Sequence, residues 1–364
     1  MQRRSFLSKA ALGAVAGGAA MAAPAIAQES PAISWRLASS FPRSADAIYS
    51  GGESVARYVA EATGGKFNIR AFPAGEIVPA LQVLDGVQNG TIECGHTASY
   101  YYYGKDPILS FDAAVPFGLN TRQMNAWMRH GDGLKLLREA FKKYNIVNFS
   151  CGYTGTQMGG WFRNEIKSVE DLKGLKFRVS AFAGAVLSRL GVVPQQIAGG
   201  DIYPALEKGT IDGAEWIGPY DDEKLGFHKV ARNYYFPGWW EGTLQVSLYV
   251  NQQSFDALPK HYQAALANAT AAATNDMIAK YDAENPNALR RLVSEGAVLK
   301  SFPKPVLDAC YAESLKLYDE LSAKDPNFKK IYESMVAFRD NALPWFRVAE
   351  GGYDSYMGTI AARK

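Results

Sequence analysis

The sequence is poor in the residues and motifs on which most enzymes depend. Among its 364 residues there are 3 cysteines and 4 histidines, and the histidines lie far apart. It contains no GxSxG, HExxH or GxGxxG motif and no phosphate-binding glycine loop. Cys94, Cys151 and Cys310 lack the CxxC spacing that would indicate a metal site. These absences weaken the case for an enzyme and favour a binding protein.

An excess of charge of one sign is also absent. The formal net charge is +3, and Arg3, Arg4 and Lys9 supply as much positive charge by themselves. The rest of the chain is near neutral, so nothing indicates a nucleic-acid partner. Aromatic residues, in contrast, make up 12% of the chain. Such a content suits a cleft that binds small organic molecules.

The first 27 residues predict an export signal. Residues 3–7, RRSFL, form a twin-arginine signature, and 25–27, AIA, form an A-x-A cleavage site. The alternative is a membrane anchor, but the weakly apolar run at 10–23 is short and rich in glycine for a stable span. We therefore expect export by the twin-arginine route, cleavage before Gln28 and a periplasmic location.

In that compartment one disulfide and one free thiol would be chemically reasonable. Cys94 and Cys151, however, both lie in apolar runs that read as strands. We therefore expect buried, unpaired thiols, and the disulfide stays open as the alternative.

Strands and helices alternate in two separate parts of the chain. The first part predicts strands at 33–38, 67–72 and 92–96, with helices at 46–63 and 78–88 between them. A second part, beginning near 146–153, repeats the alternation with strands at 157–162, 175–179, 193–195 and 211–215. This pattern predicts an α/β fold of two doubly wound lobes with a ligand cleft at the carboxyl ends of the strands.

The segment 199–216 contains a motif that the chain uses twice. Gly-Thr-Ile followed by an acid occurs at 90–93 and at 209–212, each time after an apolar helical run. We expect Asp201 to cap the second helix and Gly209 to end it. The copies differ after the strand, because Glu215 and Trp216 follow only the second one.

The later chain is predicted to be mainly helical. A strand at 244–251 should return to the first lobe, and helices follow at roughly 255–284, 286–295, 306–323 and 327–361, with prolines such as Pro286 between them. We expect lobe 1 to comprise 28–150 and 242–285, lobe 2 to comprise 151–241 and 286–340, and a C-terminal helix to occupy 341–364. The Ala-rich stretch 262–284 reads as scaffold or as a helix that pairs subunits.

Several polar residues stand at the predicted ends of strands. Arg178 can fork a carboxylate, although a surface charge is the alternative. Gln157 lies in a Gly/Thr-rich approach, and Glu215 and Glu241 have apolar or aromatic neighbours. An acid in such surroundings must be paired or bind a cation, and an ordinary ion pair remains open for each. Residues 100–103 are four consecutive tyrosines. Some of these side chains must line a cleft or pack between lobes.

At these residues the sequence resembles the periplasmic solute-binding subunits of tripartite ATP-independent (TRAP) transporters, in the branch that binds 2-oxo and 2-hydroxy monocarboxylates. The most specific blocks are 35–42 (WRLASSFP), 100–107 (YYYYGKDP), 157–163 (QMGGWFR), 191–226 and 237–242 (PGWWEG). The segment 244–247 departs from the pattern, which leaves the preference among pyruvate, longer 2-oxo acids and lactate open.

The resemblance implies two lobes that close on a ligand. It implies that Arg178 binds the ligand carboxylate, that Tyr101 and Tyr102 reach the ligand from the first lobe, and that a cation bridges ligand and protein. The implied cation ligands are Gln157, Glu215, the Trp216 carbonyl and Glu241, and Gln157 and Trp216 also contact the ligand. Sodium fits the resemblance, whereas a count of charges leans to calcium.

The implied function is capture of a small 2-oxo monocarboxylate and its delivery to a membrane permease, with no enzymatic activity. A homodimer formed through the long helix would match some members. The alternatives are a receptor for lactate or another 2-hydroxy acid with calcium, the binding protein of an ATP-driven transporter, and a periplasmic enzyme acting on an organic acid.

Overall fold

The computed structural model describes residues 30–361, which form two mixed β-sheets with helices packed around them. The strands are β1 (Ile33–Ser39), β2 (Phe67–Phe72), β3 (Cys94–Thr97), β4 (Ile146–Tyr153), β5 (Gly160–Phe162), β6 (Lys176–Arg178), β7 (Val193–Gln195), β8 (Gly213–Ala214), β9 (Asn233–Phe236), β10 (Gln245–Asn251) and β11 (Val298–Ser301).

The α-helices, between which lie short 3₁₀ turns, follow the same chain order. They are α1 (Asp46–Ala62), α2 (Val83–Gln88), α3 (Thr121–His130), α4 (Gly133–Phe141), α5 (Ala181–Ser188), α6 (Gly199–Glu207), α7 (Pro219–Leu225), α8 (Gln252–Asp256), α9 (Lys260–Ser294), α10 (Lys304–Lys324), α11 (Pro326–Val348) and α12 (Glu350–Ala361). The predicted α/β fold with a helical C-terminal region is therefore confirmed.

The first sheet has the strand order β2-β1-β3-β10-β4. Strands β2, β1 and β3 are parallel, as the β-α-β-α-β pattern predicts. Strand β10 is antiparallel to both β3 and β4, because it enters between them from the opposite direction on its return from the second sheet. The expected return of 244–251 is confirmed. Strand β4, which the sequence predicts as the start of the second lobe, lies in the first sheet.

The second sheet has the order β11-β9-β5-β8-β6-β7. Strand β6 is parallel to its neighbours β7 and β8, whereas β5 is antiparallel to β8 and β9. Both sheets are therefore mixed, since each contains antiparallel neighbours. The parallel trio β7-β6-β8 still brings three carboxyl ends to one edge, as the site requires.

Helix α9 runs unbroken for 35 residues and passes through Pro286. The expected interruption at 285–286 is therefore wrong. Tyr281 on one side of the proline and Ala288 and Leu292 on the other are fully buried. This packing offsets the roughly 3 kcal/mol that an interior proline costs a helix. The C-terminal helix predicted at 341–364 also differs, because α11 continues to Val348 before α12 begins.

The repeated glycine stop has the same conformation in both copies. Gly90 and Gly209 adopt φ values of +68° and +71°, in the left-handed region where a Cβ atom is unfavourable. The predicted helix end at Gly209 is therefore confirmed. Asp201, in contrast, lies in the first turn of α6, and the N-cap position belongs to Ala198, which has no side-chain acceptor.

The three cysteines are buried free thiols, which confirms the expectation and rules out the disulfide. Burial raises the pKa of Cys151 and Cys310 to about 12, so both stay protonated. The predicted export signal lies outside the described residues. Between residues 30 and 361, no helix combines the length and the hydropathy of a membrane span.

Candidate functional site

Arg178 and Glu215 come together because they end neighbouring parallel strands. In the register of β6 and β8, Arg178 lies opposite Ala214, so the next residue, Glu215, begins just beyond the sheet edge. Nη1 of Arg178 donates to the main-chain oxygen of Glu215 at 2.7 Å and also to its carboxylate oxygen Oε1. Nε of Arg178 donates to the carbonyl of Ile197 at 3.1 Å. The guanidinium is thus fixed in orientation.

The surroundings of Arg178 exclude the surface alternative. The residue is 1% exposed, and its guanidinium carbon lies 5.0 Å from the centre of a Trp216 ring. Trp216 in turn packs on the start of α6, where a Cβ atom at Gly199 would lie 2.4 Å from the indole. The segment 199–216 therefore folds back so that Gly199, its first residue, packs against Trp216, its last. The Trp216 indole in turn covers Arg178.

Backbone hydrogen bonds bring Gln157 beside Glu241. The Gln157 amide donates to the Glu241 carbonyl at 3.1 Å, and the Gly238 amide donates to the Gln157 carbonyl at 2.9 Å. A Cβ atom at Gly238 would lie 2.8 Å from that carbonyl oxygen, so the two segments approach this closely only because residue 238 is glycine. The next amide, of Met158, bonds to the Ile217 carbonyl at 3.0 Å and ties the loop to the Glu215 segment.

Four buried side-chain oxygens in this region have no hydrogen-bond donor within residues 30–361. They belong to three of the predicted cation ligands and are Gln157 Oε1, Glu215 Oε2, Glu241 Oε1 and Glu241 Oε2. These residues are 2%, 0% and 0% exposed. A buried acceptor without a donor is costly, and a buried carboxylate much more so. Buried amide and carboxylate oxygens without donors are the kind of ligand that a hard cation such as Na⁺ or Ca²⁺ prefers.

The pKa values of both acids of this site, Glu215 and Glu241, lie above the ordinary value of a glutamate. Burial raises the pKa of Glu215 to about 7, although the positive charge of Arg178 acts in the opposite direction. Burial and then the charge of Glu215 raise the pKa of Glu241 well above its usual value, and the nearby Ser180 and Tyr100 hydroxyls offset only part of this. With both acids ionised, two negative charges face one arginine. A bound cation would remove this imbalance.

The donor set contains only two acids. Within the described chain, no cluster of three or more His, Cys, Asp or Glu side chains is arranged to hold a metal. The residues present fit an alkali or alkaline-earth ion, which also accepts amide and carbonyl oxygens. They do not fit zinc, which prefers nitrogen and sulfur ligands. The ion-pair alternative holds for Glu215, which pairs with Arg178, but Glu241 has no cationic partner among residues 30–361.

Of the two tyrosines assigned to the ligand, only Tyr101 lies at this site. It is buried, and the charges of Arg178, Glu215 and Glu241 act on its hydroxyl. Tyr102 instead bonds to Thr97 at 2.9 Å and accepts from the Leu84 amide at 3.1 Å. The structure therefore does not bring the Tyr102 hydroxyl to Arg178.

Sequence reasoning missed two residues at the site. Tyr100 stacks edge-on against Tyr101 with ring centres 5.1 Å apart, and both Glu241 and Glu215 act on its hydroxyl. Ser180 acts on the ionisation of both acids, because its amide lowers the pKa of Glu215 and its hydroxyl lowers that of Glu241. The available signal for Ser180 was its position two residues beyond the end of strand β6. For Tyr100 no pattern separates it from its three identical neighbours, because the 3₁₀ turn Ser99–Tyr102 decides which rings face the site.

Comparison with known proteins identifies the family. The model of the DctP family, described as bacterial extracellular solute-binding protein, family 7, matches residues 38–325. A monocarboxylate 2-oxoacid-binding periplasmic protein of Nostoc sp. is 48% identical over 329 residues, which is 90% of each chain.

Two solved structures of TRAP transporter solute-binding proteins are similar throughout. That from Bordetella bronchiseptica, a dimer with calcium and picolinate at one active site, is 54% identical, with a TM-score of 0.90 over 92% of this chain and 99% of that one. That from Pseudoalteromonas atlantica, with sodium and pyruvate, is 38% identical, with a TM-score of 0.86 over 89% and 98% of the two chains. The chain therefore belongs to the bacterial extracellular solute-binding proteins of family 7 and is a TRAP-type solute receptor.

Proposed function

We propose that this receptor captures a small 2-oxo monocarboxylate, such as pyruvate, together with one hard cation. The observation that carries the proposal is that one site contains both a buried arginine, Arg178, and four buried oxygens without a hydrogen-bond donor. These oxygens belong to Gln157, Glu215 and Glu241. The arginine suits a carboxylate and the oxygens suit a cation. A ligand that bridges the two must offer a carboxylate with a second acceptor atom close by.

A 2-oxo acid has that geometry, because one carboxylate oxygen and the neighbouring carbonyl oxygen form a five-membered chelate with a cation. Pyruvate, which accompanies sodium in the Pseudoalteromonas protein, has it. Picolinate, which accompanies calcium in the Bordetella protein, offers a ring nitrogen in place of the carbonyl oxygen. A 2-hydroxy acid such as lactate offers the same five-membered ring, and we retain it, with calcium, as the second candidate.

In the proposed complex, Gln157 Oε1, Glu215 Oε2, a Glu241 oxygen and the Trp216 carbonyl hold the cation. Arg178 binds the carboxylate with its remaining N–H groups while the Glu215 and Ile197 carbonyls keep it oriented. Tyr101 closes the site from the first sheet, and Trp216 excludes water from the arginine. Sodium is the proposed ion and calcium the alternative. Calcium would balance the charge of one ligand carboxylate, two acids and one arginine.

We propose further that the receptor works in the periplasm, is exported by the twin-arginine route and delivers its ligand to TRAP permease subunits. The signature at residues 3–7 supports the route, and the family supports the location and the permease. The proposed motion is closure of two lobes, 28–150 with 242–285 and 151–241 with 286–340, with α9 shared between them.

A homodimer is also proposed, as in the Bordetella relative. The sequence predicts the segment 262–284 as its interface, but the apolar face of α9 is buried within its own chain. Large exposed apolar side chains lie instead in α11 and α12, where Trp345, Val348 and Tyr353 are 65%, 76% and 66% exposed. The proposed interface therefore lies at the end of the chain.

The test is a thermal-shift screen of two- to six-carbon oxo and hydroxy acids with sodium, calcium or neither. A ligand that binds only the folded state raises the melting temperature according to RT ln(1 + [L]/Kd). We expect pyruvate or a longer 2-oxo acid to give the largest shift, and only with a cation present. A larger shift from lactate with calcium would favour the second candidate, and no shift from any acid would refute the proposal.

Arg178→Met provides the residue-level test. The matched control is Arg163→Met, because Arg163 is a second arginine of the same sheet region that donates to the Leu206 carbonyl instead. We expect the Arg178 variant to lose pyruvate binding and the Arg163 variant to keep it.

Recovery of pyruvate unchanged after incubation with the native protein would oppose the enzyme alternative, whereas a new product would support it.

A further inference from the structure

A cavity lies on the first sheet, away from the residues that form the candidate site. It has a volume of about 200 Å³, is open to solvent on one side and is lined by the α3–α4 pair, edge strand β4 and helix α9. For scale, an engineered cavity of about 150 Å³ accepts benzene. The space is therefore sufficient for one small organic molecule.

Two guanidinium groups line this cavity, those of Arg129 and Arg138, and none of the carboxylates described between residues 30 and 361 does. Arg138 is half-buried, and its Nε donates to the Asn148 carbonyl at 2.8 Å while its guanidinium lies over the Phe149 ring at 4.5 Å. Neither arginine forms an ion pair with an acid of the described chain. Two positive charges, a half-buried one on Arg138 and an exposed one on Arg129, thus line a cavity whose described lining carries no negative charge.

The charge of Asp112 acts on Arg138 without forming an ion pair with it. The oxygens of Asp112 already accept from Ser99 at 2.8 Å, from Asn148 at 2.7 Å and from Ser247 at 2.7 Å. A half-buried arginine that forms no ion pair within residues 30–361 retains N–H groups for an external anion.

The remaining wall is partly apolar and partly hydroxylic. Phe149, Leu134 and Ala267 supply apolar surface, and Thr270 adds a hydroxyl that already donates to the Ala267 carbonyl at 2.8 Å. An inorganic anion would leave this apolar surface unused, and a neutral hydrocarbon would leave the arginines unpaired. The matching ligand has one carboxylate and a compact apolar body.

We propose that this cavity is a second binding site, for a small organic carboxylate about the size of benzoate, whose carboxylate lies between Arg129 and Arg138. The site is independent of Arg178 and of the cation ligands. It gives the receptor a means to sense a carboxylate other than its transported ligand.

The experiment is calorimetric titration of the full protein with benzoate and with two control probes. Phosphate carries charge but lacks the apolar body, and benzyl alcohol has the apolar body but lacks the charge. We expect one benzoate per chain and much weaker binding of the other two probes. Arg178→Met removes the candidate site and should leave benzoate binding unchanged. Loss of benzoate binding in that variant would locate the anion at Arg178 and overturn the proposal.

Three substitutions test the cavity itself. Arg138→Gln and Arg129→Gln should each weaken benzoate binding by about tenfold or more, because each removes a charged hydrogen bond. Ala267→Leu keeps both arginines but fills the space, and it should also weaken binding. Lys135→Gln removes an equal charge from the outer face of α4 and should have no effect. Unchanged affinity in both the Arg129 and Ala267 variants, or no binding by the native protein, would refute the site even if Arg138→Gln fails to fold.

Discussion

Arg178 is already bonded to Glu215 through both the main-chain and the side-chain oxygen of that residue. A ligand carboxylate that binds the remaining N–H groups of Arg178 therefore lies close to a carboxylate of the protein, and the two negative charges repel each other. A cation bound to Glu215 Oε2, which has no donor of its own, offsets this repulsion. The cation and the anion should thus favour each other's binding.

The first prediction is a thermodynamic coupling between cation and ligand. We expect pyruvate affinity to fall by about tenfold or more when sodium and calcium are replaced by choline at equal ionic strength. By linkage, pyruvate should raise cation affinity by the same factor. Titration calorimetry in the matched buffers measures both. Glu241→Gln should weaken the coupling, whereas Glu207→Gln, an exposed acid on α6, should not. Equal pyruvate affinity with and without cation would contradict the prediction.

The second prediction concerns the glycine under Trp216. Gly199→Ala places a Cβ atom 2.4 Å from the indole, so the ring must move. We expect a loss of about 1–3 kcal/mol in the free energy of unfolding, together with weaker ligand binding. Its neighbour provides the control, because nothing lies within 4 Å of a Cβ atom at Gly200. Gly200→Ala should stabilise the helix slightly. Urea unfolding followed by tryptophan fluorescence compares the two variants. Equal changes in the free energy of unfolding would contradict the packing of Trp216 against Gly199.

The third prediction separates two adjacent tyrosines. Tyr101→Phe should weaken pyruvate binding by about tenfold with little effect on stability, because its hydroxyl lies among the charges of the site. Tyr102→Phe should leave affinity unchanged and cost about 1 kcal/mol, because its hydroxyl bonds to Thr97 and Leu84. Calorimetric titration and urea unfolding of both variants give the comparison. A loss of affinity in the Tyr102 variant would restore that residue to the site.

The fourth prediction is a pH dependence of stability that arises from His96. Burial lowers the pKa of this histidine from 6.5 to about 3. Between pH 6.5 and about pH 3 the unfolded chain therefore binds a proton at His96 that the folded chain does not bind. The resulting contribution to the free energy of unfolding is fully present above pH 6.5 and is lost as the pH falls toward 3. At pH 5 the loss from this one group is about 2 kcal/mol.

The comparison that isolates His96 is His96→Gln, since other groups also titrate in this range. Its glutamine cannot take up a proton and retains a polar group for Ser39, which lies 3.1 Å from His96 Nδ1. Urea midpoints at pH 7.5 and pH 5 should therefore differ less in the variant than in the native protein. Equal differences would show that the histidine does not control acid stability.

Regular patterns predicted much of the fold. Alternation of apolar residues located β1 and β2, and the glycine stops at residues 90 and 209 were readable because only glycine suits a positive φ there. The antiparallel insertion of β10 was not readable, because the pairing of a strand depends on partners about a hundred residues away. The continuity of α9 was missed for a related reason, since burial on both sides of Pro286 outweighs a local preference.

The candidate site was predictable to the extent that it follows from strand ends. Arg178 and Glu215 meet because adjacent parallel strands end at the same edge, which a sequence can indicate. The donor-free state of Gln157 Oε1 could not be read, because it depends on its side-chain amide donating to Thr154 at 3.3 Å, and on which backbone groups face the loop. The choice between Tyr101 and Tyr102 depends on one turn of 3₁₀ helix.

Helix α9 packs with the first sheet through Tyr262 and Leu266 near its start, and near its end Arg291 pairs with Glu223 of α7, which follows β8. Neither sheet can lose its packing without exposing part of this helix. We therefore expect residues 30–361 to melt in one cooperative transition, with equal calorimetric and van't Hoff enthalpies. Damage to either sheet would then lower the amount of intact receptor, and no half-folded form with a surviving lobe would accumulate.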